Sequence, residues 1–101
     1  MYSEISSDLF YEKTLSEPVT VIDVREPDEF LAGHVAGSVN FPLSQLEKTY
    51  QDLPREKELY LICKSGMRSM RAGHFLAEKG LEVVGVQGGV EHYSGELVKE
   101  K

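Results

Sequence analysis

The sequence predicts an α/β domain built on a mostly parallel sheet with helices on both faces. Three observations carry this. Short apolar runs rich in β-branched residues recur at Val19-Thr20-Val21-Ile22-Asp23-Val24, Leu59-Tyr60-Leu61-Ile62 and Val83-Val84-Gly85-Val86. They lack the polar alternation of a half-solvated strand, so they read as strands buried on both faces. Segments with helical spacing separate them, which is the pattern of parallel strands joined by crossover helices. The 101 residues, 41% hydrophobic and 28% charged, suit one compact domain large enough to hold its own core.

The elements follow in order. Ser6-Ser7-Asp8 offers helix caps, with Asp8 placed well against a helix dipole. The helical pattern of Leu9, Phe10, Lys13 and Thr14 ends near Pro18. After the strand Val19–Val24, Arg25–Leu31 opens a short helix with Pro27 in its first turn, and Gly33 can end it. Ser38–Phe41 is extended and Pro42 turns the chain. Leu43, Leu46, Glu47 and Tyr50 are helically spaced, and Leu53-Pro54 closes that element. Arg55–Glu58 is a charged loop leading into Leu59–Ile62. Met70–Lys79 reads as a helix capped by Gly80, and Gly73 within it implies close packing there. Val83–Val86 is a strand, Gln87-Gly88-Gly89 a turn, and Val90–Tyr93 the start of a short helix. The core is expected to span about residues 19–93 of a single domain covering 1–101, with 95–101 a frayed tail. No linker, internal repeat or low-complexity segment is evident.

The net charge of −6, from 17 acids against 11 Lys and Arg, argues against a general nucleic-acid or anionic-membrane surface. A single cysteine cannot form an internal disulfide, which is compatible with the cytosol. The N-terminal residues lack the cationic-then-apolar pattern of a signal peptide, and no apolar run approaches the ~20 residues of a membrane span. A cytoplasmic location is therefore expected.

The candidate site is Cys63, at the end of an apolar strand and followed by Lys64, Ser65, Gly66, Met67, Arg68 and Ser69. A strand entering a tight loop and then a helix N-terminus converges backbone N–H groups on one spot, where the helix dipole is positive. Ligands of parallel sheets bind beyond the carboxyl ends of the strands. Cys63, Asp23, Arg25 and the Gly88-Gly89 turn should all lie on that edge. From Leu59 to Ala77 there is no acidic residue, so Lys64, Arg68 and Arg71 should make a cationic pocket on an anionic protein. Such a pocket draws small anions and should acidify an accessible thiol. The competing interpretation is a small buried apolar cysteine, with Arg68 and Arg71 merely solvated. Asp23, Arg25 and Glu29 suit a structural ion network joining strand end to helix. His34, His74 and His92 show no spacing that makes any of them a base for Cys63, and with one cysteine they supply no metal-ligand pattern. Met67 and Met70 could rim an apolar entrance, and the Gly88-Gly89 pair is weak evidence for phosphate binding.

Four ordered segments then resemble a known family. Val21–Phe30, Gly33–Pro42, Cys63–Ser69 and Val86–Val90 are similar to the signatures of single-domain rhodaneses, which are sulfurtransferases. The resemblance spans nearly all of Val19–Tyr93. One departure is Tyr93 where relatives often carry Trp after the paired glycines. The resemblance implies that Cys63 takes sulfane sulfur from an anionic donor such as thiosulfate, holds it as a persulfide, and passes it to cyanide or a thiol. Lys64–Ser69 would bind the substrate through their amides, with Lys64 and Arg68 attracting the donor. Asp23, Arg25 and Glu29 would give structural support. No metal and no cofactor is implied, and no nucleic-acid or membrane partner. Phosphatases resembling rhodaneses have a five-residue spacing between Cys and Arg, and the four residues here favour sulfur transfer. The alternative is a protein-facing sulfur carrier or binding module with little small-molecule turnover, in which a protein accepts the sulfur. Arsenate or phosphate-ester chemistry is a third reading.

Overall fold

The computed structural model describes residues 1–99. Along the chain run β1 (Tyr2–Ile5), α1 (Ser7–Ser16), β2 (Thr20–Asp23), α2 (Pro27–Ala32), β3 (His34–Val35) and β4 (Val39–Asn40). They are followed by α3 (Leu46–Thr49), β5 (Leu59–Ile62), α4 (Met67–Glu78), β6 (Val83–Val86) and β7 (Leu97–Val98). Single 3-10 turns at Leu43–Gln45 and Tyr50–Asp52 flank α3, and another spans Gly89–His92. Strands β1-β6-β5-β2-β4 form one sheet in that order, and every neighbouring pair is parallel. The expected α/β class is the one observed.

The period of a strand explains the two-sided core. In β5, Leu59 and Leu61 point into the layer that holds Leu46, Ala72 and Leu76, from α3 and α4. Tyr60 and Ile62 point the other way, to Phe10 of α1 and to Val84 and Val86. All four are buried, so the run has no reason to alternate with polar residues. Cys63 continues the parity of Leu61 and therefore faces the α4 layer.

Local signals place several helix ends. The Ser6 hydroxyl accepts the Leu9 N–H at 3.2 Å and caps α1. Pro27 opens α2, where the Glu29 carboxylate accepts the Glu26 N–H at 3.1 Å in a capping box. Three expectations need correction. The sequence predicts no element before Ser6, yet β1 is an edge strand, ordered by pairing with β6 from Tyr2↔Val83 to Ile5↔Val86. Its Tyr2 ring fills the space over Gly73 and Gly85, where any Cβ would overlap it; this is the close packing Gly73 foretold. The 95–101 tail does not simply fray, because Leu97–Val98 pairs antiparallel with His34–Val35. Residues 100 and 101 of that tail lie outside the described residues. Finally, α4 starts at Met67, three residues earlier than its apolar pattern suggested. Among the described residues, no helix is long and apolar enough to cross a membrane.

Candidate active site

Cys63 leaves β5 at the carboxyl edge of the sheet, and the chain then folds back over it. Gly66, at φ +111°, caps α4, so Met67, Arg68 and Ser69 become its first turn. First-turn N–H groups have no carbonyl partner one turn back, and the one on Ser69 turns to the sulfur instead. The Cys63 Sγ accepts the Gly66 N–H at 3.1 Å and the Ser69 N–H at 3.3 Å. Its own S–H donates to the Ser69 hydroxyl, with Sγ 3.5 Å from Oγ, and that hydroxyl donates in turn to the Gly66 carbonyl at 3.1 Å. Amides aimed at sulfur stabilise negative charge there, and α4 adds its positive dipole end. The early start of α4 also buries the site: Cys63 and Ser69 are each 1% exposed. Instead of an open thiol at the sheet edge, the sulfur lies beneath a loop whose Lys64, Ser65 and Met67 are exposed.

The paired glycines support this loop from behind. The Val90 N–H donates to the Cys63 carbonyl at 2.8 Å and the Glu91 N–H to the Lys64 carbonyl at 3.1 Å. A Cβ on Gly89 would strike the backbone of both residues. Gly88-Gly89 thus clamps the loop main chain, a role that its sequence context did not announce.

The expected network of Asp23, Arg25 and Glu29 divides in two. Asp23 and Arg25 form a buried pair, with Arg25 Nη2 2.8 Å from Asp23 Oδ2 and Nε 3.1 Å from Oδ1. Arg25 Nη2 also donates to the Gly33 carbonyl at 2.7 Å, locking the end of β2 to the end of α2. Asn40, which the sequence did not single out, bridges the Asp23 and Arg25 carbonyls at 2.9 and 2.8 Å. Glu29 instead turns to the loop and binds Arg68 through two bonds of 2.6 and 2.9 Å. The Arg68 bonds, above all, hold the Glu29 carboxyl down at about 2, and the same pair raises Arg68 further. The window without acids is cationic along the chain, but in space Glu29 neutralises its Arg68.

The other singled-out residues have separate settings. His34 is buried, stacked on Phe30 at 3.8 Å, with Nδ1 2.8 Å from the Phe30 carbonyl. His74 is exposed on α4 with its ring 4.7 Å from that of Tyr2. His92 Nδ1 lies 3.1 Å from the Gly88 carbonyl. Arg71 is exposed on α4 and Met70 is half-buried. Among the described residues, no group of three or more His, Cys, Asp or Glu is arranged to hold a metal ion. A hollow of about 420 Å³ lined by Lys13, Glu17, Lys57 and Tyr60 lies by the amino ends of β2 and β5, away from Cys63.

Comparisons with known proteins agree with this geometry. A family model, the rhodanese-like domain, matches residues 6–96. Among curated proteins of Bacillus subtilis (strain 168), the "Uncharacterized protein YqhL" is 39% identical over 82 residues, which are 80% of this chain and 65% of that protein. The "Putative sulfur carrier protein YrkF" is 36% identical over 94 residues, 91% of this chain and 51% of YrkF. The "Putative sulfurtransferase YtwF" is 36% identical over 94 residues, 92% of this chain and 91% of YtwF. The chain thus spans less than two thirds of YqhL and about half of YrkF. A solved structure of a rhodanese-related protein from Thermoplasma volcanium, 38% identical, superposes with a TM-score of 0.87 over 98% of this chain and 100% of that one. With the strand order, the four-residue loop and the family match in agreement, the chain belongs to the rhodanese-like domain family.

Proposed function

We propose that this domain is a sulfurtransferase that carries sulfane sulfur on Cys63. The observation that carries the proposal is the sulfur cradle: Cys63 Sγ held by the Gly66 and Ser69 amides at the base of a loop with four residues before Arg68. In the first half-reaction the Cys63 thiolate attacks the outer sulfur of a donor such as thiosulfate. A Cys63 S–S bond forms, the donor S–S bond breaks, and its electron pair leaves with sulfite. The persulfide keeps its negative charge beside the loop amides, which act as an oxyanion hole does for oxygen. In the second half-reaction cyanide or a thiol attacks the outer sulfur and the Cys63 thiolate is released. Two covalent half-reactions give ping-pong kinetics. Lys64, exposed at the loop, attracts the anion, while Ser65, Gly66, Met67 and Ser69 line its approach. Cys63 is 1% exposed, so the donor has to reach a sulfur that the Lys64–Gly66 segment covers.

A second reading, a protein-facing sulfur carrier, is favoured by the neutralised Arg68, which weakens the pull on a small dianion. A thiosulfate:cyanide assay on wild type and Cys63→Ser separates the two. Turnover that the substitution abolishes supports the enzyme. A stable adduct of about 32 Da on Cys63, removed by reduction and accompanied by negligible turnover, supports the carrier. Absence of both refutes sulfur transfer.

A further inference from the structure

The residue at the end of the loop is already paired. Both terminal nitrogens of Arg68 are occupied by the two carboxylate oxygens of Glu29, at 2.6 and 2.9 Å. The carboxylate comes from a different helix and is itself held, because Glu29 Oε1 also accepts the Glu26 N–H in the capping box of α2. Pro27 sets the first turn of that helix, and Glu29 lies in it, where a negative charge is favourable. The first turns of α2 and α4 are therefore tied together beside the cradle of Cys63. The two side chains are 30% and 31% exposed, so the pair is neither sealed in the core nor loosely solvated.

We infer that Glu29 is a specificity-determining residue: by occupying Arg68 it withholds a guanidinium from the loop and so disfavours dianionic sulfur donors relative to donors of lower charge. This rests on the sulfur-transfer reading above. A carboxylate and a dianionic donor compete for the same forked donor set, since guanidinium binds either through two parallel hydrogen bonds. A donor that takes this fork must displace Glu29 and then share the mouth with its uncompensated charge, and one that uses the other N–H groups of Arg68 meets a guanidinium whose charge Glu29 already offsets. A thiol persulfide, whose charge is confined to its terminal sulfur, needs only the loop amides and avoids that competition. Lys64 draws both kinds of anion to the loop but offers no forked geometry, so it cannot replace Arg68 in this discrimination.

A purely structural tie is the competing explanation, and Glu29→Gln distinguishes the two. Glutamine keeps the length of the side chain and can still accept the Glu26 N–H, so the start of α2 is retained while the charge is lost. The measured quantity is the ratio of kcat/KM for thiosulfate to that for the persulfide of 2-mercaptoethanol, in wild type, Glu29→Gln, Arg68→Gln and the double variant. Thiosulfate binding to Cys63→Ser, with and without Glu29→Gln, is followed in parallel by the amide NMR signals of Lys64–Ser69. The expected result is a rise of about fivefold in the ratio for Glu29→Gln, located in the KM for thiosulfate, the upper range for a part-exposed ion pair. Thiosulfate should bind the Cys63→Ser/Glu29→Gln protein tighter by a similar factor, and both gains should shrink at high salt and vanish when Arg68 is also replaced. An unchanged ratio with unchanged binding overturns the inference, and so does a gain that persists without Arg68. If wild type transfers sulfur from neither donor, the sulfurtransferase reading has failed; the binding measurement then decides by itself whether Glu29 withholds Arg68 from an anion.

Discussion

Replacing Gly89 with alanine tests whether the paired glycines hold the active loop. Gly89 has φ +59° and Gly37 has φ +82°, so alanine at either position adopts a left-handed backbone at a cost of about 1 kcal/mol. Their surroundings differ. Around Gly37 nothing lies within 4 Å of the added Cβ, whereas at Gly89 it meets the Cys63 carbonyl oxygen and the Lys64 carbonyl group. These are backbone atoms and cannot swing aside, so the strand end or the turn must shift. That shift strains the Val90–Cys63 and Glu91–Lys64 hydrogen bonds, each worth about 1 kcal/mol. The expected destabilisation is about 3 kcal/mol for Gly89→Ala against about 1 for Gly37→Ala, within the ~5–15 kcal/mol of a typical domain. At a urea slope of ~1.5 kcal/mol/M the midpoints should fall by about 2 M and 0.7 M. Gly89→Ala should also lose sulfur transfer beyond its loss of folded protein, because the carbonyls that move belong to Cys63 and Lys64, on which the cradle is built. Equal midpoint shifts for the two variants, or full transfer activity in Gly89→Ala, would refute the clamp.

Three further predictions concern packing and charge. Gly73→Ala should cost about 2 kcal/mol by overlap with the Tyr2 ring, and Tyr2→Leu should relieve part of it, giving a coupling of about 1 kcal/mol or more in a double-mutant cycle read by denaturation; strict additivity would show that the ring is not the obstacle. Asp23→Asn leaves the buried Arg25 charge without its carboxylate and should destabilise by about 3–5 kcal/mol, well beyond Glu29→Gln at the part-exposed pair, which should cost about 1; thermal melts of the two variants check the order, and a reversal would contradict it. Acid should weaken the fold through Glu29. Its folded value is lowered to about 2 from an ordinary 4.5, so its contribution is complete above 4.5 and disappears as the pH falls toward 2. Between those limits wild type should lose about 1 kcal/mol more than Glu29→Gln, and parallel pH–stability curves would exclude the effect.

Local chemistry along the chain was enough to identify the three inner strands β2, β5 and β6, the caps at Ser6, Pro27 and Gly80, and a cysteine at a strand end four residues before an arginine. Periodicity, capping and spacing act between near neighbours, so they survive without knowledge of the fold. Pairing and charge compensation act across space. β1 and β7 have little propensity of their own and become strands because β6 and β3 lie beside them. Whether the sulfur is open or covered depended on where α4 begins, which Gly66 and the bond from the Ser69 amide to Sγ decide. The mouth looked cationic because no acid occurs from Leu59 to Ala77, yet α2 brings Glu29 to Arg68 from outside that window. Electrostatic energy follows distance between charges rather than their order in the chain, and that distance exists only once the helices have packed.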